Sequence, residues 1–466
     1  MKRLQYKGKM LLYYISKKLL HYVSDDEYKI MLVEELARVL STKMVGIYAD
    51  EDLEDILCSI GNNISTEFVD NPNPDTVLHV MTEAYEIGGH TRVVDNWIKN
   101  DTSRKHTIVL TSTNKVPQFL KNSVAQNEGQ IIYLHGNGYK NKALALLQMA
   151  VHYDKIILHT HMHDSIPTIA FSNAGWKRPI YLFNHANFRF WLGVSIADVC
   201  LDISYNDHLI SKKLRGVRNS VRLDIPIEKP VLEQKEKNDP VLIREKMKIK
   251  KDDLVVTTMA GSQKYHSVGK INFFGFVDAL LASNQKIVFV AIGPSSTEDG
   301  WDWLRKKYKK RIRVMGKLPK AKVAEILDIT QMYVNSFPLG SYTACLEASR
   351  RGIPVTGLNL PGNTLDIYQE GLKNTCSELV EYLNDIASEK VSYSEVMVDR
   401  HYKEAWCKKL EKIFDKNITH RVRRFKSGRR FGFFEEVVLS SYQQEKWEAS
   451  AEIGWVWKCL FYLLAV

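Results

Sequence analysis

Two doubly wound α/β domains in tandem, with helical stretches at both ends, are what this sequence predicts. Three observations carry that expectation. Short apolar runs alternate with helix-compatible stretches twice over, across residues 76–225 and again across 253–375, as in parallel sheets covered on both faces. A charged stretch bearing Pro226, Pro230 and Pro240 separates the two series at 226–252 and reads as a linker. The length, 466 residues, suits two domains with extensions.

Taken in order, residues 1–75 read as a helical N-terminal extension. Met10, Leu11, Tyr14, Leu19 and Tyr22 form one helical stripe, and Val33, Leu36, Val39 and Leu40 another. Asn71-Pro-Asn-Pro-Asp75 ends it, because proline disfavours helix at its own position and the one before. The first domain then offers strands at Val77–Met81, Thr107–Leu110, Ile131–Leu134, Lys155–Leu158, Ile180–Phe183 and Val199–Ile203. In the second, strands are expected at Leu254–Met259, Lys286–Ile292, Ile312–Val314, Met332–Val334 and Pro354–Gly357. Residues 376–466 read as a helical C-terminal region. Its apolar end, Trp455–Val466, and the basic run Lys416–Arg430 leave two alternatives: packing back on the first domain, or docking on an anionic membrane.

Composition narrows the function. The net charge of +11 implies anionic partners, yet no zinc-finger spacing or aromatic RNA-binding signature accompanies it, so no nucleic acid is expected. Six scattered cysteines without a Cys-x-x-Cys pair suit a reducing compartment and no structural zinc. Lys17, Lys18 and His21 interrupt the first apolar run, so neither a secretory leader nor a bilayer span is expected. The expected location is cytoplasmic, with peripheral contact on the inner membrane face.

Five loops follow expected strands. In Thr82–Arg92, Gly88 and Gly89 let the backbone approach the donor and turn tightly into a helix whose first turn bears His90, a candidate general base with Glu83 or Asp95 to orient it. In Ala260–His266, Gly261 and Ser262 free backbone amides and Lys264 adds a point charge, a combination that suits a diphosphate. Ser336–Ala348 enters a helix near Thr343, where amides, Ser341 and Thr343 can hold phosphate and Glu347 a ribose; simple N-capping and a solvated glutamate are the plainer alternatives. His159-Thr-His-Met-His-Asp164 resembles a metal cluster at first glance, but a polar site-lining loop, with His161, His163 and Asp164 touching an acceptor, is the stronger reading, and no metal is expected. Asn184 and His185 open the fifth loop as candidates to bind the acceptor's hydroxyls, ahead of Phe188, Phe190 and Trp191, whose faces suit a sugar ring although helix packing is the stronger reading for at least two of the three.

Together these residues resemble a family. Glu83-Ala-Tyr through Arg92, with Asn184-His-Ala and Phe190-Trp-Leu-Gly193, is similar to the acceptor half of bacterial GT-B glycosyltransferases, the open double-Rossmann type. Ala260–Gly357 resembles the donor half, most of all that of O-linked N-acetylglucosamine transferase and its bacterial relatives. The resemblance covers about residues 76–360 and implies roles: His90 as base, Lys264 and Thr343 on the diphosphate, Glu347 on the ribose, and Gly316–Lys320, with Leu318 and Lys320, on the base. It implies a nucleotide-sugar donor, UDP-linked by preference, with no other cofactor, and a glycan or lipid-linked glycan as acceptor. Leu339 stands where the Glu-x7-Glu pair of retaining members would begin, which leans the reading towards inversion. A sugar-nucleotide epimerase, or a partner subunit with a decayed donor site, is the alternative on the same fold.

Overall fold

The computed structural model describes residues 2–42, 46–64, 69, 71–86, 89–112, 115–186, 189–227, 239–268, 270–360, 371–388 and 399–428. They form two compact units, one from the residues up to Ile227 together with those from Lys403 onward, the other from the residues between these.

The first unit opens with helices α1 (Lys2–Leu19), α2 (Asp26–Thr42) and α3 (Glu51–Asn62). They are part of the domain rather than an appendage: Leu20, Ile30, Leu36, Leu40, Leu53 and Leu57 share one core cluster with Leu78, Val80 and Ile156 of the sheet. On α2 the buried residues Ile30, Val33, Leu36, Ala37 and Leu40 follow helical spacing, which is why that face is apolar. Asp50 caps α3 by accepting the amide of Leu53 at 3.1 Å. Glu54, without exposed surface, accepts the amides of Gly193, Val194 and Ser195 at 3.0, 3.0 and 2.6 Å and so ties α3 to the chain after β5 (Ile180–Asn184). Burial pushes its carboxyl up to about 7.

The sheet contains β1 (Asn73–Met81), β2 (Lys105–Leu110), β3 (Ile131–Tyr133), β4 (Tyr153–His159), β5, β6 (Val199–Asp202) and β7 (Ser220–Arg222). All pairs are parallel, in the order β3-β2-β1-β4-β5-β6-β7. Helices α4 (Gly89–Asn100), α5 (Gln118–Gln126), α6 (Tyr139–Ala150), α7 (Ile166–Phe171) and α8 (Tyr205–Ile210) connect them. Strand β7 has no counterpart among the expected strands, because its three residues are too short for a periodic signal.

The second unit repeats the plan. Strands β8 (Leu254–Met259), β9 (Ile287–Ile292), β10 (Ile312–Val314), β11 (Met332–Val334), β12 (Val355–Leu358) and β13 (Leu372–Lys373) lie parallel in the order β10-β9-β8-β11-β12-β13. Its helices are α9 (Pro240–Lys246), α10 (Phe273–Ser283), α11 (Asp299–Tyr308), α12 (Lys320–Asp328), α13 (Tyr342–Ser349) and α14 (Cys376–Ala387).

Helix α15 (Lys403–Phe414) belongs to the first unit, where the Trp406 indole donates to the Asp224 carbonyl at 2.7 Å and Arg104 pairs with Glu411 at 2.6 Å. Beyond it, residues 417–428 carry no helix. Backbone amides of His420, Arg423 and Gly428 donate to the carbonyls of Lys177, Ser195 and Leu214, and Phe425 is buried. This part of the basic run is therefore a strap across the first unit. The apolar C-terminal end, 455–466, lies outside the described residues. No helix among those described is long and apolar enough to cross a membrane.

Candidate functional site

In each sheet the strand order reverses beside the first strand of its unit: β2 and β4 flank β1, and β9 and β11 flank β8. Connections leaving the two central strands run to opposite faces there, which opens a crevice at their carboxyl ends. In the first unit the loops at that crevice are those after β1 and β4. They are the loops carrying His90 and the histidine run.

His90 lies at the start of α4, half-buried, with Nε2 2.7 Å from the backbone carbonyl of His159. A carbonyl only accepts, so Nε2 carries the proton and Nδ1 presents its lone pair. Burial, then the neighbouring His161, lowers its pKa to about 4, so the ring is neutral at physiological pH. The His185 ring lies 4.3 Å from it and that of His161 6.2 Å. Tyr85 stacks on His161 with centroids 5.6 Å apart and donates to Glu83 at 2.5 Å. His163 is 5.8 Å from His161; burial first, and then the charge of Arg38 on α2, hold it down to about 4.

Several expected roles do not fit these positions. Asp95 is buried and accepts from Ser123 at 2.5 Å and Lys99 at 3.1 Å, while Glu83 is taken by Tyr85 and Ser112. The group that orients His90 is the His159 carbonyl, not a carboxylate. Asp164 is buried under Thr82 and Thr111, each 2.6 Å away, and also accepts the Ile166 amide at 3.1 Å. Asn184, 1 % exposed, donates to Asp202 at 2.6 Å and accepts the Ala186 amide. Both polar groups are spent inside the fold and cannot face an acceptor. His161, His163 and His185 remain at the crevice. His159, His161 and His163 do not converge, because β4 ends at His159: the His159 ring turns into the sheet and His161 turns to Tyr85. Among the described residues no group of three or more His, Cys, Asp or Glu side chains could hold a metal ion. Gly88 and Phe188 lie outside the described residues; Gly89 is the exposed first residue of α4, and Phe190 and Trp191 are buried in the core.

In the second unit the crevice loops are those after β8 and β11. Lys264 donates to the Gly340 carbonyl at 2.8 Å, and burial lowers its ammonium to about 8. It has no carboxylate partner among the described residues. Gly261 precedes it in extended backbone, and Ser262 donates to Glu298 at 2.6 Å. Ser341 stands before α13 without capping it; instead its own amide donates to Asn335 at 2.8 Å. Ser341 thus leaves α13 without an N-cap side-chain bond, and Thr343 is exposed in its first turn. Glu347 already accepts Arg350 at 2.8 Å and Arg351 at 3.4 Å. Leu318 packs against the β9 cluster and Lys320 begins α12, both next to Gly316, whose carbonyl accepts the Gly293 amide at 2.7 Å.

Four contributors escaped the sequence reading. Arg38 and Glu34 sit on a helix assigned to an extension. Tyr85 stands in a loop whose sequence marks are its glycines and His90, and Glu298 has no motif around it. Glu34 accepts the Ser165 amide and hydroxyl at 3.0 and 2.7 Å, and burial raises its carboxyl to about 7.

No protein-family model matches the chain, and comparison with curated proteins finds no match. Solved structures do match. A mutant O-GlcNAc transferase from Thermobaculum terrenum is 10 % identical with a TM-score of 0.50, covering 95 % of this chain and 76 % of its own. A glycosyltransferase from Rickettsia africae is 11 % identical with a TM-score of 0.53, over 73 % of this chain and 98 % of its own. A TarM mutant from S. aureus, in complex with fondaparinux, α-GlcNAc-glycerol and UDP, is 8 % identical with a TM-score of 0.52, over 73 % and 100 %. At such identities the likeness is one of fold. The chain has the GT-B fold, two Rossmann-like domains each with the strand order described above.

Proposed function

We propose that this GT-B chain is a glycosyltransferase that moves a sugar from a nucleotide diphosphate, UDP by preference, to a hydroxyl of a cell-surface glycan or glycolipid, inverting the anomeric centre without a metal. The observation that carries the reading is Lys264. Its ammonium is partly desolvated, donates to the Gly340 carbonyl, has no carboxylate partner among the described residues, and stands beside the start of α13, which Ser341 does not cap. A charge held so, next to a helix start that its preceding serine does not cap, favours a polyanion such as a diphosphate.

Each unit supplies one part of the chemistry. Lys264 and the α13 amides stabilise the negative charge that builds on the leaving diphosphate. His90 offers the bare Nδ1 to the acceptor hydroxyl; that proton leaves as oxygen bonds to the anomeric carbon and the carbon–phosphate oxygen bond breaks. His161, His163 and Tyr85 line the same crevice and suit a hydroxyl-rich acceptor. UDP and α-GlcNAc-glycerol in the S. aureus TarM structure support this donor and acceptor class. The +11 charge supports an anionic acceptor or membrane surface on the cytoplasmic side.

The test is a thermal-shift screen of nucleoside diphosphates and their sugars, followed by release of the diphosphate with and without acceptor. Stabilisation by one nucleotide, lost in Lys264→Met, is the expected result. No stabilisation by any nucleotide would refute the donor site. That outcome would favour the second reading, a subunit with a lapsed donor site, for which the prior pairing of Glu347 with Arg350 and Arg351 speaks.

A further inference from the structure

Three histidines occupy the first sheet where apolar side chains are the rule. His79 is central in β1, His106 near the start of β2 and His159 at the end of β4, all without exposed surface. The register sets Val77 beside His106 and Met81 beside His159, so the three rings share one face and step across it diagonally. His79 Nε2 is 2.9 Å from His106 Nδ1, and His79 Nδ1 is 3.0 Å from His159 Nε2. His106 Nε2 is 2.8 Å from the backbone carbonyl of Asp101. Trp97 covers the row edge-on, 5.6 Å from His79 and 5.7 Å from His159.

These contacts fix every proton. The Asp101 carbonyl only accepts, so His106 Nε2 bears hydrogen and, in the neutral ring, Nδ1 is bare. His79 must then donate from Nε2 and accept at Nδ1, and His159 must donate from Nε2. The chain is directional, from the site end of the sheet to Asp101. Its two ends are left over: His159 Nδ1 and Asp101 Oδ2 are buried with no hydrogen-bond partner. Asp101 Oδ2 is 3.5 Å from His106 Nε2. Among the charged and titratable groups nearby, Arg104 holds the other Asp101 oxygen at 3.0 Å and is itself paired with Glu411, while the His90 ring lies 6.4 Å from that of His159.

We propose that His159, His79 and His106 form a proton relay behind His90, with its resting place on His106 against Asp101. The role rests on the reading of His90 as acceptor base. A water molecule spanning the gap takes the proton from His90 and delivers it to His159 Nδ1. His159 passes its Nε2 proton to His79 Nδ1, and His79 passes its Nε2 proton to His106 Nδ1. One proton has entered, each ring between has gained and lost one, and the charge stands on an imidazolium beside a carboxylate. His90 returns to neutral with the positive charge on His106, beyond the two intervening rings. Burial holds His79 and His159 far down; His106 is lowered too, but Asp101 draws it back up, in keeping with a charge that settles there. The three are positioning residues, since none touches substrate.

The test uses the full-length chain with isotope-labelled histidine. Ring-nitrogen chemical shifts should show all three as Nε2–H at neutral pH. On acidification, one proton should appear as an imidazolium on His106, while His79 and His159 change to Nδ1–H. Charge on His159 or His79, or tautomers that do not change, would overturn the relay. A pair of variants separates relay from scaffold. Glutamine at position 79 can accept from His159 and donate to His106, so His79→Gln should melt near wild type, whereas His79→Leu should melt lower. With UDP-glucose or UDP-N-acetylglucosamine, whichever is turned over, His79→Gln should lower kcat about tenfold at unchanged KM and move the acid limb of the pH profile. Restoration of both melting and pH profile by glutamine would make the chain structural only and sink the proposal. Full turnover in His90→Gln would instead remove the base, and the ring-nitrogen titration would then decide the chain alone.

Discussion

Replacing Lys264 with methionine should stabilise the empty protein while removing its response to nucleotide. The side-chain volume is kept and the charge is lost. Burial lowers the ammonium from 10.5 to about 8. The unfolded chain holds its proton more tightly, so at pH 7, where both states are protonated, the folded state carries the full cost. A shift of this size corresponds to about 3 kcal/mol. That cost is fully present below pH 8 and relieved as pH rises towards 10.5. Methionine removes it, and also removes the charged bond to the Gly340 carbonyl, worth about 1.5–3 kcal/mol. The net gain is up to about 1.5 kcal/mol at pH 7, a rise of up to about 3–6 °C for a unit of this size. Loss of a charged hydrogen bond to a diphosphate costs about 1.5–3 kcal/mol, which weakens the nucleotide roughly 10- to 150-fold. Calorimetric melting with and without UDP reads both effects. A variant that melts lower than wild type and keeps its UDP shift would refute the reasoning at both steps.

Other outcomes follow from particular contacts. His90→Gln keeps a donor for the His159 carbonyl but loses the basic nitrogen; turnover should fall about 10²- to 10⁴-fold with the melting temperature little changed. Glu54→Ala leaves three buried amides without an acceptor and should cost about 3 kcal/mol or more, read by urea unfolding, because each orphaned group loses about 1–3 kcal/mol. Acid should weaken the first unit. His79, His159 and His185 are held neutral in the fold, so below the unfolded pKa of about 6.5 the unfolded chain binds protons that they refuse, and stability falls by about 1.4 kcal/mol per pH unit for each. Glu34, Asp50 and Glu54 act oppositely: raised to about 7, they add stability as pH falls from there towards their unfolded values. His90 and His163, lowered to about 4, join the first set and tip the balance, so melting temperature should peak near neutrality and decline below about pH 6.5. A flat melting profile down to pH 5 would contradict these burial assignments.

The sequence by itself determined the doubly wound fold and the loops that matter. A strand such as Ile287–Ile292 is apolar and buried on both faces, a local signal that survives without knowledge of neighbours. Gly-rich turns after Met81 and Met259 were legible because tight turns leave a chemical mark. The strand order, the strap at 417–428 and the place of α1–α3 in the first core were decided by tertiary packing, since helix periodicity says which face is apolar but not what covers it. Site roles divided in the same way. His90 and Lys264 stand at helix-start and loop positions fixed by local chain direction. Asp164 and Asn184 looked equally polar in the sequence, yet Thr82, Thr111 and Asp202, all remote along the chain, consume their hydrogen bonds. The histidine row is the clearest case: His79, His106 and His159 are separated by dozens of residues, and only the pairing of three parallel strands brings them into one chain whose proton direction a single carbonyl decides.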